Sequence, residues 1–393
     1  MKNFKWPLMS NNILLNDKKV LVNFINRSNK FTSGPKVKEF EIKWSKWVGA
    51  KYSTFVNSGS SANLVSINIL KELNRNKNKR EIILPAFTWS SDVVSVINSG
   101  FEPIFVDINF ENLALNEDLV KKKINKNTLA IFLTHAMGYI GLSKKFIKLI
   151  KDKKIYLVED VCESHGAKLG NKKAGTFGVM SNFSFYYGHH MTTIEGGMIS
   201  TNSKDIDRLA KMKRGHGLLR DSQDKKFIKK MVKKSRDLSN DFIFSTEGFN
   251  LRNTELAAVL GIEQLKRLDN SIKIRNQNHK LYLKLLRKDI FFKNFNLNGS
   301  SNYGFHLILK KRNQKLFKKI LYILNKNSIE YRLGSLGNQL RQPYLSKFKN
   351  SKYLKALKKT EHMHFFSVYF GNNQFLNKNK IVKLCKHLDT LIV

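Results

Sequence analysis

The 393-residue chain has few cysteines and no long apolar run, and each absence excludes a class of protein. Its two cysteines, Cys162 and Cys385, are far apart and show no metal-ligand spacing. They cannot supply an iron–sulfur cluster, which needs several thiolates, and they do not indicate a disulfide-rich secreted domain. The N-terminus lacks the apolar segment of a signal peptide, and no stretch reaches the length of a membrane-spanning helix. We expect a cytoplasmic protein with no metal site and no membrane association.

Acidic residues are also scarce, since 30 aspartates and glutamates stand against 71 lysines and arginines, a formal net charge of +41. Such an excess suggests nucleic acid as a partner. The basic residues, however, form short groups at 121–123, 229–234 and 310–319, on segments typical of solvated helix faces and loops. None alternates with the aromatic side chains on which bases stack. We predict an enzyme whose lysine-rich surface helps to attract an anionic substrate, with no dedicated nucleic-acid partner.

The order of apolar segments predicts the fold class. Two helices open the chain, at about 17–28 and 37–47. Between residues 52 and 160, short apolar strands alternate with amphipathic helices, which is typical of a largely parallel sheet covered by helices. The strands predicted in this part and just after it are 52–56, 82–85, 103–108, 129–134, 155–159 and 198–201.

The C-terminal third has a different pattern. A helix at 203–213 is followed by a basic, polar segment up to Asn240, which we interpret as an exposed loop. Two long helices within 254–286 then lead to a smaller α+β unit, with strands at 303–309 and near 330–332.

Three features follow predicted strands, and ligands of parallel sheets gather at the carboxyl ends of the strands. The first is the turn Ser58-Gly59-Ser60-Ser61-Ala62, which either binds a phosphate at a helix N-terminus or simply caps the helix. The second is Trp89, either a stacking platform or a core residue. The third is Asp160, either a helix cap or the partner of a protonated heterocycle nitrogen.

The region 174–203 contains no lysine or arginine, which is unusual in this chain. Within it an aromatic strand from Ser184 leads to a turn with two adjacent histidines, His189 and His190, followed by Glu195-Gly196-Gly197. A turn without charged lysines in a lysine-rich protein indicates the floor of a buried site. The histidines by themselves are compatible with a metal ligand or a general base.

A series of short motifs runs along the chain in this order: Phe31-Thr32-Ser33-Gly34, Asn57-Ser58-Gly59-Ser60-Ser61-Ala62-Asn63, Pro85-Ala86-Phe87-Thr88-Trp89, Glu159-Asp160-Val161-Cys162-Glu163-Ser164-His165-Gly166, Gly175-Thr176-Phe177-Gly178, the His189-His190 stretch, Gly215-His216-Gly217 and Phe249-Asn250-Leu251-Arg252. Taken together, these motifs resemble the DegT/StrS family of pyridoxal-phosphate-dependent sugar aminotransferases. The resemblance implies an α/β protein of fold type I, the fold of pyridoxal-phosphate-dependent transferases. A large domain with a mostly parallel seven-stranded sheet would span residues 1–252, and a small C-terminal α+β domain 253–393.

The resemblance also implies how pyridoxal phosphate is bound. The backbone amides of Gly59 and Ser60 and the Ser184 hydroxyl would hold its phosphate. Trp89 would stack on the pyridine ring, and Asp160 would pair with the protonated ring nitrogen.

The remaining implied contacts surround the reacting centre. Glu163 would lie close to it, and Asn250 would reach the cofactor phosphate from the second subunit of a homodimer whose active sites lie at the subunit interface. We expect substrate contacts from Arg220, Arg252 and His190.

The chain departs from the family at one position, because His189 stands where the aminotransferases have the lysine that binds the cofactor covalently. An imidazole has no primary amine, so pyridoxal phosphate and pyridoxamine phosphate would be held non-covalently, while the ring can still move protons. A branch of the family with this histidine, the sugar 3-dehydratases, removes the C-3 hydroxyl of a 4-keto-6-deoxy sugar nucleotide. His189 would be the base.

The expected reaction uses glutamate to aminate the cofactor and GDP-4-keto-6-deoxy-D-mannose as the sugar substrate. It yields a 4-keto-3,6-dideoxy sugar and ammonia, for dideoxysugar and O-antigen synthesis. Two alternatives stay open: a nucleotide-sugar 4-aminotransferase, which would need the missing lysine, and a non-catalytic cofactor-binding protein. The cluster-dependent kind of 3-dehydratase is excluded, because two cysteines cannot hold an iron–sulfur cluster.

Overall fold

A seven-stranded sheet forms the centre of the protein in the computed structural model, which describes residues 4–349 and 351–392. Its order is β1-β9-β8-β5-β4-β2-β3; only β9 runs against the others. Between β5 and β8 lies a separate hairpin, β6 and β7. The strands up to this point are β1 Tyr52–Val56, β2 Glu81–Pro85, β3 Glu102–Val106, β4 Thr128–Thr134, β5 Tyr156–Asp160, β6 Lys168–Leu169, β7 Lys172–Lys173, β8 Met180–Ser184 and β9 Gly197–Thr201.

A smaller antiparallel sheet lies in the C-terminal part. Its order is β10-β12-β11, with β10 Gly304–Ile308, β11 Tyr331–Leu333 and β12 Ser367–Gly371. The N-terminal segment joins it, because Trp6 pairs with Ile329 and its indole N–H donates to the Gly371 carbonyl at 2.8 Å. Residues from both ends of the chain therefore meet beside this sheet.

Helices cover both sheets. None of those in the described residues is long and apolar enough to cross a bilayer. Their bounds are α1 Leu15–Arg27, α2 Pro35–Val48, α3 Gly59–Leu73, α4 Ser90–Asn98, α5 Glu117–Lys123, α6 Lys144–Asp152, α7 Lys204–Arg214, α8 Lys225–Lys234, α9 Glu255–Leu265, α10 Leu268–Leu285, α11 Gln314–Lys326, α12 Ser351–Ala356, α13 Lys358–Phe366 and α14 Lys378–Asp389.

The expected α/β architecture, a mostly parallel seven-stranded sheet with a small C-terminal α+β unit, is confirmed. The domain boundary at residue 252 stays a prediction. Helix α9, which lies beyond this boundary, packs against α1 and α2 of the N-terminal part.

The expected loop before Asn240 was wrong, because this segment contains α8. The Asp224 carboxylate caps the helix by accepting from the Lys226 and Phe227 N–H groups. Phe227 then packs beneath the guanidinium of Arg208, 4.2 Å from its ring centre. The segment has few apolar residues, and although their spacing is helical, the many lysines between them led to the prediction of a loop.

Candidate active site

A cavity of about 430 Å³ opens where the carboxyl ends of the main strands face the small sheet. It collects seven of the eleven side chains or backbone positions that the sequence singled out. These are Gly59, Ser60, Trp89, Asp160, Glu163, Ser184 and His189. They meet because the carboxyl ends of parallel strands share one edge of a sheet.

One end of the cavity is the N-terminus of α3, which begins at Gly59. The Ser58 hydroxyl caps it by accepting the Ser61 N–H at 3.1 Å. The first N–H groups of a helix have no partner within it and favour an anion. A side chain at Gly59 would bring its Cβ to 2.5 Å from the Ser184 Cβ, so glycine is required for this close approach.

The cavity floor carries the carboxylate of Asp160, the last residue of β5, which is 5% exposed. Its oxygens accept from the Cys162 N–H and from Asn63 Nδ2, both at 2.8 Å. Among the described residues no lysine or arginine forms an ion pair with it. A cationic group of a ligand would complete its pairing.

Trp89 lines the same cavity and is 59% exposed as a residue. An indole this exposed beside a pocket is available for stacking on a flat ligand. Its position excludes the core alternative for this residue.

His189 lies in the turn after β8, where its N–H donates to the Tyr186 carbonyl at 3.0 Å. The guanidinium of Arg275 donates to the His189 carbonyl at 3.4 Å, and the ring of Tyr303 lies 5.4 Å from the imidazole, centre to centre. Burial and the Arg275 charge lower the pKa of His189 to about 3. The imidazole is therefore neutral and able to accept a proton.

Glu163 has the opposite character. Burial, helped by the nearby Asp160 charge, raises the pKa of Glu163 to about 8, although the Met137 N–H donates to its carboxyl at 2.8 Å. At neutral pH this side chain is a proton donor. At neutral pH the cavity thus contains a protonated carboxyl and an unprotonated imidazole, which can serve as a proton donor and a proton acceptor.

Four of the predicted residues do not line this cavity. His190 is buried behind it, with Nε2 3.1 Å from the Ser301 carbonyl. Arg220, Asn250 and Arg252 are exposed on the surface of the chain.

Several cavity residues were missed by the sequence analysis. Arg332 and Tyr369 belong to strands of the small sheet, and Tyr303 directly precedes its strand β10. Met9 comes from the N-terminal segment. Only Arg332 had a sequence signal, because Arg332-Leu333 stands where the family usually has an arginine–proline pair. The other three look like ordinary core residues.

No lysine lines the cavity in the described part of the chain. The fully buried Lys213 is engaged elsewhere, with Nζ 3.2 Å from Glu72 Oε1, 3.1 Å from the Thr246 hydroxyl and 3.2 Å from the Glu247 carbonyl. It therefore does not replace the amine that position 189 lacks.

Comparison with known proteins identifies the family. The sequence profile of the DegT/DnrJ/EryC1/StrS aminotransferase family matches residues 14–387. The chain belongs to this family. The resemblance stated from the motifs is confirmed.

Individual relatives include a 3-dehydratase and a GDP-perosamine synthase. The chain is 33% identical over 350 residues to GDP-4-keto-6-deoxy-D-mannose 3-dehydratase of Escherichia coli O55:H7, covering 88% of this chain and 90% of the relative. It is 28% identical over 324 residues to GDP-perosamine synthase of Vibrio cholerae, covering 81% of each. A solved structure of GDP-4-keto-6-deoxymannose-3-dehydratase with a trapped PLP-glutamate geminal diamine matches with a TM-score of 0.86 at 30% identity, covering 98% of this chain and 100% of that chain.

Pyridoxal phosphate is the cofactor of this family, and the residues present fit it. The α3 N-terminus and the close approach at Gly59 suit a phosphate. The unpaired negative charge of Asp160 suits a protonated ring nitrogen, and Trp89 suits the flat ring. Each part of the cofactor finds a complementary group in one cavity.

Proposed function

We propose that the protein is a nucleotide-sugar 3-dehydratase that holds pyridoxal and pyridoxamine phosphate non-covalently and acts on GDP-4-keto-6-deoxy-D-mannose. The observation that carries the proposal is His189, which lines the cofactor cavity where a lysine would be needed for covalent attachment. The 33% identity to a 3-dehydratase over most of both chains supports the choice of reaction and substrate.

Bound pyridoxamine phosphate supplies an amine for the keto carbon and an electron sink that allows the C-3 hydroxyl to leave. Neutral His189 would accept the proton that is removed at the cofactor, and protonated Glu163, which lines the same cavity, would donate one to the leaving hydroxyl. Asp160 keeps the ring nitrogen protonated, and Arg332 offers its charge to the anionic parts of glutamate or the sugar nucleotide.

A 4-aminotransferase is the alternative favoured by the similarity to GDP-perosamine synthase. The two reactions differ in whether the amino group stays on the sugar. An assay that determines whether the amino nitrogen is released as ammonia or stays on the sugar therefore distinguishes the two reactions.

With glutamate, pyridoxal phosphate and GDP-4-keto-6-deoxy-D-mannose, we expect release of ammonia and formation of a 3-deoxy-4-keto product. Coupled detection of ammonia and mass spectrometry of the nucleotide sugar measure both. A reaction without glutamate is the control, and the amount of either product should not exceed the amount of cofactor bound to the protein. Accumulation of a stable 4-amino sugar without ammonia would establish the aminotransferase instead.

We also propose that two chains form a homodimer that completes each active site. Arg220, Asn250 and Arg252 lie exposed in the same segment as Phe242 and Phe244, which are 62% and 57% exposed. Burial of these two neighbouring aromatic side chains by a partner would be favourable. A second copy would cover them and bring Asn250 and the arginines toward the other cavity.

Sedimentation equilibrium is expected to give twice the 45.5 kDa mass of one chain. Phe244→Glu should shift the protein to monomers, because it buries a charge in the proposed interface, and should lower activity with it. Phe365→Glu, at a comparably exposed aromatic residue (43% exposed) outside this segment, is the matched control. A fully active wild-type monomer would refute the proposal.

A further inference from the structure

Asp92 is a buried acid that the proposed reaction does not use. It lies in the first turn of α4 and is 0% exposed, and in the described structure its carboxyl group has only side-chain hydrogen-bond partners. Its Oδ2 contacts the hydroxyls of Thr88 and Thr134, and its Oδ1 lies 2.7 Å from Asn63 Nδ2. Buried carboxyl groups without a cation are costly when ionised.

Counting hydrogens indicates which form of the carboxyl is present. Asp92 Oδ2 and the two threonine hydroxyls form a triangle of close oxygen contacts, including 2.6 Å from Thr134 to Asp92 and 2.7 Å between the hydroxyls. Three such contacts need three hydrogens, but two hydroxyls supply only two. A proton on Asp92 Oδ2 supplies the third, and leaves Oδ1 to accept from Asn63.

The same amide nitrogen connects Asp92 to the cavity floor. Asn63 Nδ2 donates to Asp92 Oδ1 at 2.7 Å and to Asp160 Oδ2 at 2.8 Å. Two carboxylates this close would repel each other if both were charged. Burial and the charge of Asp160 raise the pKa of Asp92 well above its usual value, while the threonine hydroxyls lower it.

We propose that Asp92 is a neutral carboxylic acid in the folded protein and serves as a positioning residue for Asp160. As an acid it closes the threonine triangle, orients the Asn63 amide toward Asp160, and leaves a single negative charge at the floor of the cavity. The positioning role of Asp92 rests on the proposed function, in which the cofactor pairs with Asp160. The protonation of Asp92 is independent of that function.

The first experiment measures protonation in the cofactor-free protein. The infrared difference spectrum between wild type and Asp92→Asn at neutral pH should show the carbonyl-stretching band of a protonated carboxyl, shifted in heavy water. Loss of carboxylate bands instead would show that Asp92 is ionised and overturn the proposal. This result does not depend on which reaction the protein catalyses.

A stability measurement checks the same point. Folded Asp92 keeps a proton that the unfolded chain loses above about pH 4. The stability that this proton contributes to the folded state is therefore complete below about pH 4 and is lost as the pH rises toward the pKa of folded Asp92. Relative to wild type, the unfolding equilibrium constant of Asp92→Asn should fall about tenfold per pH unit in that interval. Asp160 faces Asp92 from β5, and Cys162 and Tyr344 also lie near it; all three are retained in the comparison. A difference that does not change with pH would contradict a neutral Asp92.

The positioning role is tested in the holoenzyme with ¹⁵N-labelled pyridoxal phosphate. Asp92→Asn keeps a neutral group that can donate to both threonines and accept from Asn63, so the ring-nitrogen chemical shift and the cofactor Kd should match wild type. Asp92→Val removes these bonds and should move the shift toward neutral pyridine and raise Kd about tenfold.

If Asp92→Val does not fold, Thr134→Val, which removes one hydroxyl, should move both readouts in the same direction. Wild-type shift and Kd in the folded valine variant would refute the positioning role. A neutral ring nitrogen in the wild type would instead refute the pairing with Asp160, while the infrared result would stand.

Discussion

Replacing His189 with asparagine is expected to lower kcat for formation of the 3-deoxy product about 10³-fold, the typical contribution of a positioned acid or base. Asparagine has a similar size and keeps a polar group at the cavity, but it cannot take up a proton. The buried imidazole is neutral and lines the cavity, so it can accept a proton there. Steady-state kinetics on the purified variant, with folding checked by circular dichroism, measure the effect.

His189→Lys is the informative companion variant. A lysine restores a primary amine at the cavity, and burial favours its reactive neutral form. We expect borohydride to fix pyridoxal phosphate to this variant, with the added mass visible in the intact protein, and to fix none to the wild type. An adduct on the wild type would contradict non-covalent binding, and a kcat of His189→Asn within tenfold of wild type would remove His189 as the base.

Asp160→Asn should produce the second large effect, a fall in kcat/KM of about 100-fold together with weaker cofactor binding. The carboxylate has no lysine or arginine partner in the described residues, so its charge is available to the protonated ring nitrogen. Loss of a charged hydrogen bond of about 3 kcal/mol corresponds to roughly that factor. Titration of the apoprotein with pyridoxal phosphate and steady-state kinetics measure the two consequences.

Asp207→Asn is the matched control for this substitution. Asp207 is similarly buried and accepts from the Thr54 hydroxyl and Lys211 Nζ, but it lies outside the cavity. Its replacement should affect stability and leave cofactor affinity unchanged. Equal losses of affinity in both variants would mean that Asp160 acts only through folding.

Local patterns were sufficient to predict many of the residues that line the cavity. The strand Tyr52–Val56 and the turn after it were predicted from an apolar run followed by small polar residues. Parallel strands place their carboxyl ends at one edge, which is why Gly59, Trp89, Asp160 and Ser184 line a single cavity. Sequence spacing alone carries this information, since it depends only on where each strand ends.

Contacts between distant segments could not be predicted in this way. Strand β12, Ser367–Gly371, is added to the small sheet by pairing with two strands that precede it by more than thirty residues. Arg275 and Tyr303 reach His189 from a helix and a loop far along the chain. The sequence pattern around position 189 carries no information about these two contacts.

The sequence by itself determined the fold class, the family and the substitution of histidine for the anchoring lysine, because these depend on residue identity and order. Only the tertiary structure decided the protonation states: His189 neutral, Glu163 protonated, and a hydrogen-bonded triangle that calls for a proton on Asp92. The reason is physical, since a pKa depends on burial and on nearby charges and donors. In this protein those neighbours come from segments that meet only in the folded chain.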